Sequence, residues 1–191
     1  WGFRPTWLKL KQRLPAEIAL VSLVGGLAAD SDVAMPVELQ RTLQAAWQRI
    51  QQSIPGTEFN YNFWILNTPR RSTYPACRAV IAARELARKQ DAMTLGIQQA
   101  YYLQAKNPSN LETLSEVANA IGLDVEAFNR LMASTELQQL FTEELQRVQA
   151  IDVHSFPSLV LQQGSELQTI QLDYNSADTM LHQITRLLSA N

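Results

Sequence analysis

Cys77 is the only thiol in the chain. It stands beside Arg78 near the start of a helical stretch, with Arg70 and Arg71 close in sequence. Positive charge and a helix N-terminus both favour a thiolate, so one reading is a reactive or regulatory thiol. The other reading is packing. Ala76, Ala79, Val80 and Ala83 form a small-residue stripe beside Cys77, and a free cysteine is commonly buried. A lone cysteine makes no internal disulfide, and His154 and His182 are too few for a usual zinc or iron site, so no metal is expected. The run Val153-His154-Ser155-Phe156-Pro157-Ser158-Leu159-Val160 sets a proline at the entry to an apolar strand, where its missing N–H is tolerated. A trans proline fits there, and a cis bond would turn the chain sharply. His154 either tunes a nearby group or is a surface residue. His182 reads as structural or exposed.

These residues need a scaffold. A chain of 191 residues, 46% hydrophobic and 18% charged, is long enough for a sizeable core in one domain enlarged by an insertion. No apolar run approaches the ~18 residues of a bilayer span, so no membrane is expected. Sixteen basic and 18 acidic residues give a net charge of -2 without a basic run, so no nucleic acid is expected.

Trp7, Leu10 and Leu14 share one helical face, stopped by Pro15. Ile18 to Val24 is an apolar run followed by Gly25-Gly26, and it predicts a central, parallel strand. After Pro36, a stripe of Leu39, Leu43, Ala46, Trp47 and Ile50 predicts a helix ended by Pro55-Gly56. From about Ser72 to Ile151 the pattern is helical. Ser109 with Glu112 predicts a capping box, Gly122 a C-terminal stop, Asp124 an N-cap, and Thr135 with Gln138 another capping box. Tyr101, Tyr102, Trp47 and Trp64 read as core or interface aromatics. Pro157–Leu161 and Leu167–Leu172 then predict a hairpin turning at Gly164, and Ser176 or Asn175 caps a last helix to Leu188. The order is helix, strand, helical block, strand, strand, helix.

That order, with Pro157 at its place before the closing hairpin, resembles the DsbA family of thiol-disulfide oxidoreductases, in the branch whose redox motif runs Cys-x-x-Cys-Trp-Gly-Phe. The chain opens Trp1-Gly2-Phe3-Arg4-Pro5. Further resemblance lies in Ser72-Thr73-Tyr74-Pro75-Ala76-Cys77-Arg78-Ala79-Val80, in Gly122-Leu123-Asp124 with Phe128, and in Phe156-Pro157-Ser158-Leu159-Val160. Two departures stand out. The first strand and the Cys-x-x-Cys pair are absent, and Ser155 replaces a glycine frequent before the cis-proline dipeptide.

The resemblance implies an α/β, thioredoxin-like fold: segments 1–27 and 152–191 form the thioredoxin-like part, incomplete at its N-terminus, and 28–151 an inserted helical domain. It implies disulfide exchange on protein or small-molecule disulfides, no bound cofactor, glutathione as a candidate co-substrate, and a redox partner protein. No catalytic residue is expected in this chain, because the two cysteines are expected just before Trp1. Without them the chain as it stands is expected to be inactive. Trp1, Gly2, Phe3, Phe156 and Pro157 are the expected substrate-contact residues, with Trp1 and Phe3 on an apolar rim or, alternatively, packing the first helix. Arg70-Arg71 is a solvated pair or an anion site, for instance for a glutathione carboxylate. A chain opening at Trp1 is expected to have lost its natural beginning, which leaves an export signal open; the branch favours the cytoplasm. Two alternatives stay open: a glutathione-binding transferase or isomerase of the kappa or hydroxychromene-carboxylate isomerase type, and a non-enzymatic peptide-binding protein.

Overall fold

The computed structural model describes residues 1–189; positions 190 and 191, the end of the expected second thioredoxin-like segment, lie outside them. Helix α1 (Arg4–Lys11) carries Pro5 in its first turn, where a missing N–H is no loss. Its buried Leu10 joins Phe3, Ile170, Ala177, Met180 and Ile184 in one apolar cluster. Strands β1 (Leu159–Gln163) and β2 (Glu166–Ile170) pair antiparallel, Leu159 opposite Ile170 and Gln163 opposite Glu166. Gly164, at φ +60°, supplies the left-handed turn residue of this hairpin. Helix α9 (Ala177–Ser189) packs against α1 and β2 and closes this part of the molecule.

The helical block is organised around α4 (Tyr74–Ala87), which packs on α5 (Gln90–Tyr102), α6 (Leu111–Ala120), α7 (Val125–Met132) and α8 (Thr135–Ala150). Ala79, Ala82 and Ala83 of α4 are fully buried, and such short side chains let neighbouring helices approach closely. Phe128 and Phe141 fill the space between them. A third cluster gathers Trp47 of α2 (Val37–Ser53) and Phe63 of α3 (Phe63–Leu66) with Phe59, Tyr61, Trp64, Tyr101 and Tyr102.

Several termini differ from expectation. The Asp124 carboxylate accepts from the N–H groups of Glu126 and Ala127, as its type predicts. Gly122 ends α6 at φ +72°. The expected Ser109–Glu112 box does not form: Asn110 is the N-cap without a side-chain bond, and Ser109 Oγ donates instead to the Ser72 carbonyl at 2.7 Å. At α8 the cap is Ser134, whose Oγ accepts from Leu137 N–H, one residue before the expected Thr135. Ser176 Oγ likewise accepts from Thr179 N–H at the start of α9.

The largest correction concerns Ile18–Val24. It runs without regular secondary structure, and the strands among the described residues are β1 and β2 alone. A strand requires main-chain partners, and residues 19–27 show no main-chain to main-chain bond among the described residues. Leu20 and Val21 are exposed, and at the end of the stretch the Val24 N–H donates to a side chain, the Glu144 carboxylate.

Candidate functional site

Three pieces of chain carry or touch the residues the sequence points to: the start of α1, the segment 24–28, and the corner Ser155–Ser158 ahead of β1. The first is fixed by close packing. A Cβ on Gly2 would lie 2.8 Å from Ile54 Cδ1 and 3.0 Å from Ile50 Cγ2, so the residue without a side chain lets α1 begin against α2. Trp1 stacks on Tyr102 with ring centroids 5.7 Å apart, and its indole N–H donates to the Glu58 carbonyl at 2.9 Å. Phe3 is 7% exposed and packs in the cluster of α1, β2 and α9, with Tyr174 5.3 Å from its ring. It therefore anchors the helix and does not form the apolar rim. Trp1 is half-buried and keeps part of its surface open.

Phe156 and Pro157 lie at the surface, with Phe156 41% exposed, and the peptide bond between them is cis. Ser158 Oγ donates to the Ser155 carbonyl at 2.6 Å and ties the corner shut just before β1. The Phe156 ring rests on Gly25: a Cβ there would fall 2.4 Å from ring carbons Cδ1 and Cε1. Gly25 thus admits the ring, which packs down on segment 24–28 at one end of the hairpin.

Cys77 is half-buried on α4 and packs against the helical core. Burial pushes its thiol up, and Glu144 adds to this, while the Gly26 amide and Arg78 pull the other way. Burial thus outweighs the adjacent arginine, and Arg78 itself forms a two-pronged pair with Asp30 at 2.8 and 2.9 Å. Arg70 is likewise engaged, donating to Asp32, to the Ser109 carbonyl and to Asn110. Arg71 is exposed. His154 is exposed with Nε2 2.7 Å from Asp152, and His182 is exposed on α9. Among the described residues no cluster of three or more metal-ligating side chains forms, and no helix is long and apolar enough to cross a membrane.

Sequence reasoning missed Glu144 and Thr73. Glu144 is 3% exposed; one oxygen accepts from Val24 N–H at 2.6 Å and the other pairs with Arg84 at 2.8 Å. Its position carries a signal, since Leu137, Phe141, Glu144 and Val148 are the four buried residues of α8 at helical spacing. A carboxylate within an apolar stripe announces buried partners. Thr73 Oγ1 accepts from Ala28 N–H at 2.9 Å and has no comparable signal.

A helix opening at Arg4 just after Trp1-Gly2-Phe3, an exposed proline corner leading into a hairpin and a helical block between them define a thioredoxin-like protein with a helical insertion. The thioredoxin family model matches residues 1–179. The chain belongs to the thioredoxin family. Among solved structures, a protein assigned as a disulfide isomerase from Nitrosomonas europaea superposes with a TM-score of 0.83 at 22% identity, covering 100% of this chain and 92% of that one. The cytosolic disulfide reductase DsbM from Pseudomonas aeruginosa gives 0.76 at 21% identity, covering 100% and 93%, and is also known in complex with glutathione. A 2-hydroxychromene-2-carboxylate isomerase gives 0.53 at 16% identity, covering 79% and 66%.

Proposed function

We propose that the natural protein is a thiol-disulfide oxidoreductase acting on protein or small-molecule disulfides through a Cys-x-x-Cys pair immediately ahead of Trp1. The observation that carries this reading is the corner formed by exposed Phe156 and Pro157 at the entry to β1, in a chain whose opening Trp-Gly-Phe leads directly into α1. A cysteine at that junction faces the unpaired N–H groups and positive dipole end of α1, with Arg4 adding charge, and these favour the thiolate. The thiolate attacks one sulfur of a substrate disulfide and the other sulfur leaves as a thiolate that takes up a proton. The second cysteine then displaces the first substrate sulfur. The substrate ends as two thiols and the enzyme as a disulfide. Glutathione or a redox partner protein returns the enzyme to the dithiol, a role supported by the DsbM complex with glutathione.

Trp1 shields one side of the pair, and the Phe156–Pro157 edge offers main-chain groups to an extended substrate segment. The name of DsbM supports a cytoplasmic location, where such a pair works as a reductant. The test is reduction of oxidised insulin by the natural full-length polypeptide with glutathione as reductant. Thiol-dependent reduction, abolished by prior alkylation, is expected. A full-length protein without such activity contradicts the reading and leaves glutathione-dependent isomerisation, supported by the weaker likeness to the hydroxychromene-carboxylate isomerase, or peptide binding alone.

A further inference from the structure

The segment 24–28 is held by side chains of the helical block. Val24 N–H donates to Glu144 Oε1 at 2.6 Å and Ala28 N–H to Thr73 Oγ1 at 2.9 Å, while the Gly26 amide lies beside the Cys77 thiol. Gly26, at φ +58°, bends the stretch out of strand geometry, so these side chains and no neighbouring strand fix its course. Glu144 is the charged member, and its second oxygen is held by Arg84 at 2.8 Å. Between the two held amides sits Gly25, the surface on which the Phe156 ring rests.

We infer that Glu144 is a positioning residue for the Phe156–Pro157 edge: it fixes Val24, and through it Gly25, so that the Phe156 ring has a set floor. The inference rests on the oxidoreductase reading where it concerns substrate. Glu144 does not itself touch substrate. A carboxylate suits the task because it can accept from a backbone amide and a guanidinium at once, and both donors would be left without this partner by an apolar residue.

The test uses the natural full-length protein with Glu144→Ala, Glu144→Gln, Phe156→Ala and the Glu144→Ala/Phe156→Ala pair. Glutamine keeps an acceptor for Val24 and guards against misreading simple unfolding, which circular dichroism monitors. For reduction of a disulfide-linked peptide, Glu144→Ala is expected to raise KM about tenfold with kcat within about twofold, and Glu144→Gln to recover most of this. The double variant is expected to be no worse than Phe156→Ala alone, as for residues acting through one path. Amide hydrogen exchange in Glu144→Ala is expected to quicken in both 24–28 and 153–158. An unchanged KM, or effects that multiply independently in the double variant, overturns the inference. A wild-type protein that reduces no disulfide overturns the oxidoreductase reading instead, and exchange then decides: faster exchange at 153–158 sustains the positioning, and unchanged exchange there ends it.

Discussion

Cys77 and the paired tyrosines show residue type and surroundings pulling apart. Burial leads the upward shift of the Cys77 thiol, so iodoacetamide at pH 7.5 is expected to modify it about tenfold or more slowly in the folded protein than in urea. Equal rates would mean an accessible thiol. Tyr102 is pushed up to about 12 by burial, and Tyr101 higher still by burial and by its neighbour. Both phenols favour the protonated form in the folded state. Their contribution is therefore fully present below the ordinary tyrosine pKa of about 10 and lost as pH rises through the folded values. For Tyr102 the window runs from about 10 to 12 and the loss is of order 2–3 kcal/mol. Urea midpoints are expected to fall between pH 9 and pH 11.5, and a constant midpoint would show that these rings are solvated. Phe3 carries a similar lesson, because an aromatic in the opening Trp-Gly-Phe suggested substrate contact and the fold buries it as an anchor.

Helix ends follow local chemistry closely enough to test. Ser134 Oγ satisfies the Leu137 N–H, so Ser134→Ala is expected to cost about 1 kcal/mol in chemical denaturation, and Thr135→Ala to cost less. The reverse order would place the cap where the sequence suggested it. The expectation slipped by one residue here because Ser134 and Thr135 are both good caps and spacing alone does not choose between them. It failed at Ser109 because a tertiary partner, the Ser72 carbonyl, competes for the hydroxyl. Helix existence was readable throughout: the stripes of α2, α4, α6, α7, α8 and α9 each face an apolar cluster. The hairpin was readable from Gly164 and its flanking strands. Ile18–Val24 was misread because apolar content marks a segment fit to be a strand, while forming one depends on main-chain neighbours. Its last amide, at Val24, and that of Ala28 just beyond it are held instead by Glu144 and Thr73, 120 and 45 positions away in sequence, and no local pattern connects them.

At the scale of the molecule, α1 joins two clusters. Phe3 and Leu10 lie in the one beneath α9, while Trp1 reaches the aromatic group of Trp47, Tyr101 and Tyr102. The start of α1 is thereby held from two sides, which suits the proposed role of its N-terminus in presenting a thiolate in fixed geometry. Apart from the strand expected at Ile18–Val24, the order of elements and the family resemblance were readable from sequence, since both rest on short motifs in fixed succession. The corner and its floor were only half readable: Pro157 stood out, whereas Gly25 beneath Phe156 gains meaning only when 130 residues of intervening chain bring the two together. The central claim is that a dithiol works against this scaffold. Its most direct test is the intact mass of the natural full-length polypeptide after alkylation, with and without prior reduction. The account predicts three alkylated thiols after reduction, two of them protected reversibly by oxidation as an intramolecular pair. Alkylation at Cys77 alone would contradict it.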